Sequence, residues 1–212
     1  MAKLDVAPTK SKLLELRKNL GFAVEGHELL EQKRTILTME LMGLLGAIRE
    51  TERDLEPLFT RAFAALREAA LESGSDTLDR LSFANIAGHE AVLHSRPLMG
   101  LRLPEVEVKL HDQPPQFGAL SATARIDEVQ QLFAAVLKFI VRLAELQNQT
   151  ARLARELKKT QRRNNALDKI FIPAYRDTIK YISESLEERE REGIVIIKMV
   201  KARLGAKAAA QD

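Results

Sequence analysis

Four histidines, a glycine pair and one basic stretch are the residues that could carry chemistry. The chain of 212 residues has no cysteine, which excludes disulfides, zinc–thiolate sites and thiol catalysis. The segment GLLGAIRE has two glycines but lacks the strand and the lysine of a phosphate-binding loop. No nucleophile stands beside a base at a catalytic spacing. We therefore expect no enzyme activity, no cofactor and no direct contact with nucleotide.

None of the histidines pairs with another at metal-ligand spacing on a helix; they are His27, His89, His94 and His111. His89 and His94 share a predicted hairpin, where exposed histidines are common and a metal site is rare. His27 and Arg34 lie one heptad apart on a predicted helix. There they either bridge to polar groups of a facing helix or reach out to solvent, with a titrating role as the alternative. We expect no metal site.

The basic stretch RLARELKKTQRR (Arg152–Arg163) has the charge to follow a phosphate backbone. No aromatic residue interleaves with it for base stacking, and 33 basic residues face 30 acidic ones in the whole chain. A solvated helix face or an acidic protein partner explains such a stretch more often. The pattern therefore favours a protein that does not bind nucleic acid.

The composition favours long helices over a thick core. Charged residues make up 30% and aromatic residues 5% of the chain, which is typical of coiled coils. The most apolar run, Ile36–Ile48, contains Glu40 and is shorter than the ~20 residues that span a bilayer. The first ten residues lack the apolar stretch of a signal peptide. We expect a cytoplasmic protein with no direct membrane insertion.

The first long segment, from about Ser11 to Glu72, repeats its apolar residues at alternating steps of three and four. This is the 3.5-residue period of a coiled-coil seam. Three polar residues, His27, Arg34 and Thr51, fill seam positions and are expected to fix the register. The apolar or small seam positions are Leu13, Leu16, Leu20, Ala23, Leu30, Leu37, Leu41, Leu44, Ile48, Leu55, Leu58, Ala62, Ala65 and Ala69.

A second seam begins near Ser121. Its positions are Val129, Leu132, Val136, Phe139, Leu143, Leu146, Thr150, Leu153, Leu157, Thr160, Asn164, Leu167 and Phe171. Thr150 and Asn164 are its expected register residues. After Phe171 two steps of four follow, to Tyr175 and Ile179, which is a stutter that unwinds a supercoil. Pro173 lies inside this change, so we expect a bend or a loosened turn there.

Two such helices in one chain most simply fold back on each other as an antiparallel pair. Pairing Glu72 near Ile126 places Arg34 opposite the region of Asn164, and Thr51 opposite Gln147. The predicted parts are an N-terminal helix (1–72), a middle segment (73–120) and a C-terminal helix (121–212). Gly43 and Gly46 fall inside the first helix, where they either allow close backbone approach or are tolerated at ~1 kcal/mol each.

The middle segment is rich in glycine and proline. EVEVKL (Glu105–Leu110) has the strand period, NIAGHEAVLH is its expected partner strand, and SRPLMG is the turn. The fold class predicted is all-α, a long antiparallel two-helix coiled coil with a small β-hairpin at its distal end. The hairpin is expected to be a docking or regulatory surface, with a floppy loop as the alternative. Its expected interface residues are Ile86, Val92, Leu98, Met99, Val106 and Val108.

Two stretches of the chain resemble the D subunit of the V/A-type rotary ATPases. Near the N-terminus these are VAPTKSKLLELRKNL, GHELLEQKR and ME. Near the C-terminus the match is RRNNALDKIFIPAYRDTIKYISESLEERERE, with its Ile-Pro pair followed by IKYI. The residues EG before His27 depart from the family's more basic pair at that position. The resemblance covers both long helices.

The resemblance implies a central rotor shaft that is not itself catalytic. Its expected partners are the catalytic A and B subunits, the F subunit of the stalk, and the subunit that links it to the membrane rotor ring. The complex places it peripheral to the membrane, translocating protons or sodium ions. At the end inside the hexamer, the expected interface residues are Pro8, Thr9, Lys10, Ile194, Ile197, Met199, Val200 and Leu204. The alternatives are a coiled-coil stalk of an export ATPase and a coiled-coil nucleic-acid-binding protein.

Overall fold

The computed structural model describes residues 4–84, 88–109 and 124–208. The elements are α1 (Lys10–Ser73), α2 (Ser75–Ala84), β1 (Glu90–Leu98), β2 (Leu101–Lys109), α3 (Ala124–Ala166), a π-helical turn (Leu167–Phe171) and α4 (Ile172–Ala208). They form two compact units. The first unit comprises Met1–Arg34 with Lys158–Asp212, and the second unit comprises Thr35–Leu157. Long helices with a two-stranded insert confirm the predicted fold class, whereas the three-part division of the chain stays a prediction.

Local chemistry sets both ends of α1. Thr9 caps its start, because its side-chain oxygen accepts a hydrogen bond from the Lys12 N–H at 3.3 Å. At the other end Gly74 adopts φ +78°, a left-handed conformation that glycine reaches without steric cost. Its N–H bonds the Ala70 carbonyl at 3.0 Å. The chain then enters α2. Loops and a hairpin were expected for this segment, and the helix was not predicted.

The first unit pairs the start of α1 with the last part of α3 and with α4. Arg34 donates to Gln161 (3.2 Å) and Lys10 pairs with Glu190 (2.7 Å), so the helices run antiparallel. The Arg34 contact confirms the predicted register to within one turn of Asn164. The buried apolar residues of this seam include Leu16, Ala23, Ile172 and Ile182.

The predicted stutter corresponds to the π-helical turn. The Ile172 N–H bonds the Leu167 carbonyl, five residues back, just before Pro173. Proline lacks the N–H that would bond the Lys169 carbonyl, and its ring crowds that oxygen. The wider turn moves the buried face along by one residue. Ile172 is therefore 7% exposed whereas Phe171, predicted on the seam, is 47% exposed.

The second unit pairs the rest of α1 with α3. Arg125 forms ion pairs with Glu72 (2.6 Å) and Glu68, and these two carboxylates raise the pKa of the Arg125 guanidinium. Phe63 packs edge-on against Phe133 with 5.4 Å between ring centroids. The Glu72 contact agrees with the predicted pairing near Ile126. Small residues fill much of this seam, since Ala62 and Ala69 are fully buried.

Within the second unit, the hairpin lies against the side of the α1–α3 pair, not at the distal end of the helices as predicted. Leu103 of β2 is fully buried with Leu37 and Leu153, and Leu98 and Leu101 pack on the same cluster. Arg96 also pairs with Glu40 of α1 at 2.5 Å. These leucines give the hairpin an apolar face, and the α1–α3 pair is the surface that buries it.

The hairpin turn is shorter than the predicted SRPLMG. β1 and β2 pair antiparallel from Glu90↔Lys109 to Leu98↔Leu101, so only Met99 and Gly100 remain in the turn. Both have positive φ, 47° and 82°, as a type I′ turn requires. Strand pairing thus extends through Pro97 and Pro104, two residues that favoured a loop in the sequence.

Leu103→Ala tests the apolar cluster that holds the hairpin. We expect the free energy of unfolding to fall by about 2–5 kcal/mol, because a fully buried leucine loses its contacts and leaves a cavity. The control Leu93→Ala removes the same atoms from a side chain that is 72% exposed. It should change stability by no more than about 0.5 kcal/mol. Urea unfolding followed by circular dichroism measures both; equal losses would show that Leu103 is not an anchor.

Candidate functional site

The last third of α4 exposes an apolar stretch, Ile194–Val200. Ile197 is 68% exposed and Ile194 54% exposed, and the neighbouring Val195, Ile196, Met199 and Val200 are similar. Four consecutive apolar residues reach every side of a helix, so one neighbouring helix cannot cover them all. Leu204 lies in the same helix, and its side chain is outside the described residues. Contiguous exposed apolar surface of this kind marks a contact with another protein.

The residues around the start of α1 meet α4 just before this stretch. The Pro8 carbonyl accepts a hydrogen bond from Arg189 at 3.1 Å, and Lys10 pairs with Glu190. The hydrogen bond and charge of Lys10 lower the pKa of Glu190, and Glu190 in turn raises the pKa of Lys10. Pro8, Thr9 and Lys10 therefore lie one helical turn from Ile194, as neighbours of the apolar stretch.

A polar layer crosses the seam of the first unit. Asn164, 2% exposed, donates through Nδ2 to a Glu31 carboxylate oxygen. The other Glu31 oxygen pairs with Arg34 at 2.7 Å, and Arg34 also donates to Gln161. His27 lies one turn before Glu31 with its Nδ1 buried. The structure thus joins Arg34 and Asn164 through Glu31, a residue that sequence reasoning did not single out.

The other predicted register residues make fewer cross-helix contacts. Thr51 is half-buried and donates to the Ala47 carbonyl of its own helix at 2.7 Å. Thr150 is half-buried, and its hydroxyl oxygen has no hydrogen-bond partner within the described parts of the chain. Pro173 is half-buried beside the π-helical turn. Their effect on register stays a prediction.

An open cleft of about 450 Å³ lies beside the π-helical turn. Its lining residues are Asn19, Phe22, Ala23, Leu167, Phe171 and Tyr175. Phe22 is 60% exposed and the Lys18 ammonium lies 5.6 Å from its ring centroid. Sequence reasoning missed this cleft, because it placed Phe171 inside the seam.

The hairpin separates its predicted interface residues onto two faces. Val92 and Leu98 share the face of Leu103, which turns toward the helices. Val106 and Val108 lie on the opposite face and are half-buried. Met99 is 47% exposed at the turn, and Ile86 is outside the described residues. Only part of the predicted set is therefore available to a partner.

A second exposed face, on α1, was not predicted. Met39 and Met42 are 71% and 65% exposed. Gly43 and Gly46 lie on the same side, where an added Cβ would meet no neighbouring atom within 4 Å. The glycines therefore do not serve close packing within the chain. The signal was in the sequence, since methionines off the seam of a coiled coil have no partner in the facing helix.

The residues with potential for chemistry do not assemble into a reactive site where the structure describes them. His94 lies 3.6 Å from Glu107, and no metal-binding group of three is found within 4–84, 88–109 and 124–208. In the basic stretch, Arg152 donates to the Arg102 carbonyl at 2.8 Å and so is engaged within the chain. Over the same residues, no helix combines the length and apolar character needed to cross a membrane.

Comparisons with known proteins agree on one family. Residues 12–202 match the family model of the ATP synthase D subunit. The V-type ATP synthase D subunit of Thermotoga neapolitana is 33% identical over 202 residues, or 95% of this chain and 99% of that relative. The A-type ATP synthase D subunit of Pyrococcus furiosus is 37% identical, covering 96% and 97%. The V-type ATP synthase D 2 subunit of Treponema pallidum is also 37% identical, covering 95% and 96%.

Asn164→Ala tests the polar layer. The change removes the amide that bonds Glu31, and we expect the free energy of unfolding to fall by about 1–3 kcal/mol because a half-buried carboxylate loses a donor. Arg163→Ala is the control, since Arg163 is the preceding residue and is exposed. It should cost no more than about 0.5 kcal/mol. Urea denaturation measures both variants. An unchanged free energy of unfolding for Asn164→Ala would contradict a role of Asn164 in fixing the register of the helices.

Proposed function

The chain belongs to the ATP synthase D-subunit family and is a central-stalk subunit of a V/A-type rotary ATPase, and we propose that it is the rotor shaft. In this role it transmits torque between the catalytic A/B hexamer and the membrane rotor ring. The observation that carries the proposal is the apolar stretch Ile194–Val200, which its own chain leaves exposed. Such a helix end requires a surrounding protein surface.

The proposed contact with the hexamer combines this stretch with the nearby start of α1. Pro8, Thr9 and Lys10 lie beside Arg189 and Glu190, so a ring that encloses Ile194 and Ile197 also reaches them. The apolar residues have no directional hydrogen bonds to satisfy. A ring can therefore slide around them without one angle being strongly preferred, as a turning shaft requires.

The rest of the surface supports a part that turns among other proteins. Its ion pairs are mostly between exposed side chains, as with Lys10–Glu190 at 75% and 60% exposure. Such pairs add little stability and are screened by salt, so they do not bind a neighbour strongly by themselves. We propose that ATP chemistry occurs on the A and B subunits and that this chain contributes shape and contacts.

Further partners follow from the same role. We propose that the F subunit binds the side of the helix pair and that another subunit links the chain to the membrane ring. The location is then peripheral to the membrane on the cytoplasmic side, without insertion. The export-ATPase stalk and the nucleic-acid binder have no comparable support, because the family match covers residues 12–202.

The hairpin is the proposed docking surface for the small partner subunit of the stalk or for the subunit above the membrane ring. A turn of a few residues would suffice to connect antiparallel helices, yet residues 74–123 separate α1 from α3. The hairpin is held against the helices through Leu103, which an unstructured loop would not require. Its outer face is therefore presented in a fixed position.

Truncation after Gly193 tests the contact with the hexamer. We expect weaker assembly with the A and B subunits and lower torque, because the truncated chain lacks Ile194–Val200. The helix pair should stay folded, since the apolar side chains from Ile194 to Val200 are exposed and leave its seam unchanged. Single-molecule rotation and co-purification measure the effect, and circular dichroism checks the fold. Full ATP-driven rotation by the truncated protein would contradict the placement.

Replacing Phe83–Leu110 by a short glycine–serine turn tests the docking role. We expect ATPase rate, partner binding or coupling to fall, because the proposed surface is removed while the helix seam is kept. The control is Glu52→Ala, a change at an exposed residue of α1 that retains the hairpin, its outer face and its buried cluster. All three readouts remaining at the level of the intact complex would show that the hairpin is only a connection.

A further inference from the structure

The pairing of β1 with β2 determines which main-chain groups point outward. Leu98 and Leu101 close a two-residue turn and so form a hydrogen-bonded pair. In an antiparallel ladder every second pair is hydrogen-bonded, and the residues between direct their N–H and C=O groups away from the partner strand. On β1 these outward residues are Ala91, Leu93, Ser95 and Pro97; opposite them on β2 are Val108, Val106, Pro104 and Arg102.

The outer edge of β2 is covered by α3. The Arg102 carbonyl accepts a hydrogen bond from Arg152 at 2.8 Å, and the Pro104 carbonyl accepts one from Gln149 at 2.7 Å. Gln149 is itself 4% exposed and also bonds Glu145. These contacts agree with the expected outward direction of residues 102 and 104. Among the residues that the structure describes, they leave β1 as the edge that is open to a further strand.

The outer edge of β1 is not covered in the same way. Within residues 4–84, 88–109 and 124–208, no group bonds the outward N–H or C=O of Ala91, Leu93 or Ser95. Seven of the nine residues of β1 are exposed, and only Val92 and Leu98 are half-buried. A long exposed edge strand is a template for pairing with another chain.

Apolar side chains border this edge on the face opposite Leu103. Leu93 lies across from Val106, and Ala91 lies across from Val108. Leu93 is 72% exposed, while the two valines are half-buried. A strand added beside β1 would place alternate side chains against Leu93, so the pairing would bury apolar surface as well as satisfy main-chain groups.

We propose that the outer edge of β1 binds an extended segment of another ATPase subunit as the third strand of the sheet. Main-chain donors and acceptors in a row are matched by the main chain of a strand, and the apolar border selects a segment with apolar residues at alternate positions. The helices already anchor the inner face of this two-stranded sheet, and a third strand adds cross-strand contacts at its outer edge.

The occupant is a different subunit rather than a second copy of this chain. This choice rests on the proposed function, because a ring that surrounds one shaft leaves no place for a second. Whether a strand pairs with β1 is a separate question from whether the chain is the rotor shaft. A chain that assembles and rotates without pairing at β1 would remain a shaft, so the two proposals can fail independently.

Amide hydrogen exchange of the full chain, alone and in the complex assembled with its co-expressed ATPase subunits, tests the pairing. The amides of Ala91, Leu93 and Ser95 should exchange at least about tenfold more slowly in the complex, since each gains a hydrogen bond. The amides of Val92, His94 and Arg96 already bond β2 and serve as internal references. Mass spectrometry with electron-transfer fragmentation resolves alternate residues.

Ser95→Pro against Ser95→Ala supplies the matched variants. Proline removes an outward N–H and blocks the edge, and it faces Pro104 across the ladder, so no β1–β2 bond is lost. We expect this variant to abolish the slowing at Ala91 and Leu93 and to weaken assembly about tenfold or more, while Ser95→Ala behaves as the unchanged chain. Retained slow exchange at Val92 and Arg96 verifies that the hairpin is folded.

Three outcomes would overturn the proposal. The first is equal exchange of the Ala91, Leu93 and Ser95 amides in the free and assembled chain. The second is slowing of these amides in the free chain as its concentration rises, with dimers in sedimentation, which would identify a second copy as the occupant. The third is assembly of the folded Ser95→Pro variant with unchanged affinity.

Discussion

A pair of helices has a single seam in which to bury apolar side chains, and the rest of this chain depends on that limit. The seam positions that are most buried are often small or polar; among them are Ala23, Ala62, Ala69, Thr160, Asn164 and Thr178. Small side chains let helices approach closely, but they bury little apolar area. A thin seam cannot cover the remaining apolar residues. Those at Ile194–Val200 and at Met39 and Met42 therefore stay on the outside, where only other proteins can cover them.

The same thin seam makes the polar layer important. Apolar side chains in a repeating pattern fit nearly as well after a shift of one heptad, whereas the contacts of Glu31 with Asn164 Nδ2 and with Arg34 form in one register. The π-helical turn follows within a few residues and moves the buried face from Phe171 to Ile172. A shaft that transmits torque requires a fixed register and a defined buried face. The polar layer and the π-helical turn contribute to both in the first unit.

The sequence predicts what is encoded locally and misses what depends on distant residues. The heptad pattern is local, so the helices and seam residues such as Leu16 and Val136 follow from it. The stutter locates the irregular turn. The shift of the buried face by one residue depends on how the helix avoids a clash between the Pro173 ring and the Lys169 carbonyl, and residue spacing does not encode that. The hairpin's place depends on Leu37 and Leu153, residues more than a hundred positions apart. Alternation in EVEVKL likewise predicts a strand without telling which face turns inward.

The hairpin shows why the inward face could not be chosen from alternation alone, since both of its faces carry apolar residues. Leu103 and its neighbours are buried by the helices, and Leu93 with Val106 and Val108 remains on the other side. A segment that only connected two helices would gain nothing from apolar side chains on a solvent face. Met99 adds a similar argument. Its backbone φ is positive, a conformation that favours glycine or asparagine, yet this position carries an apolar side chain that is half exposed at the tip. The anchored inner face holds the outer one in position, as the proposed docking of another subunit on the hairpin requires.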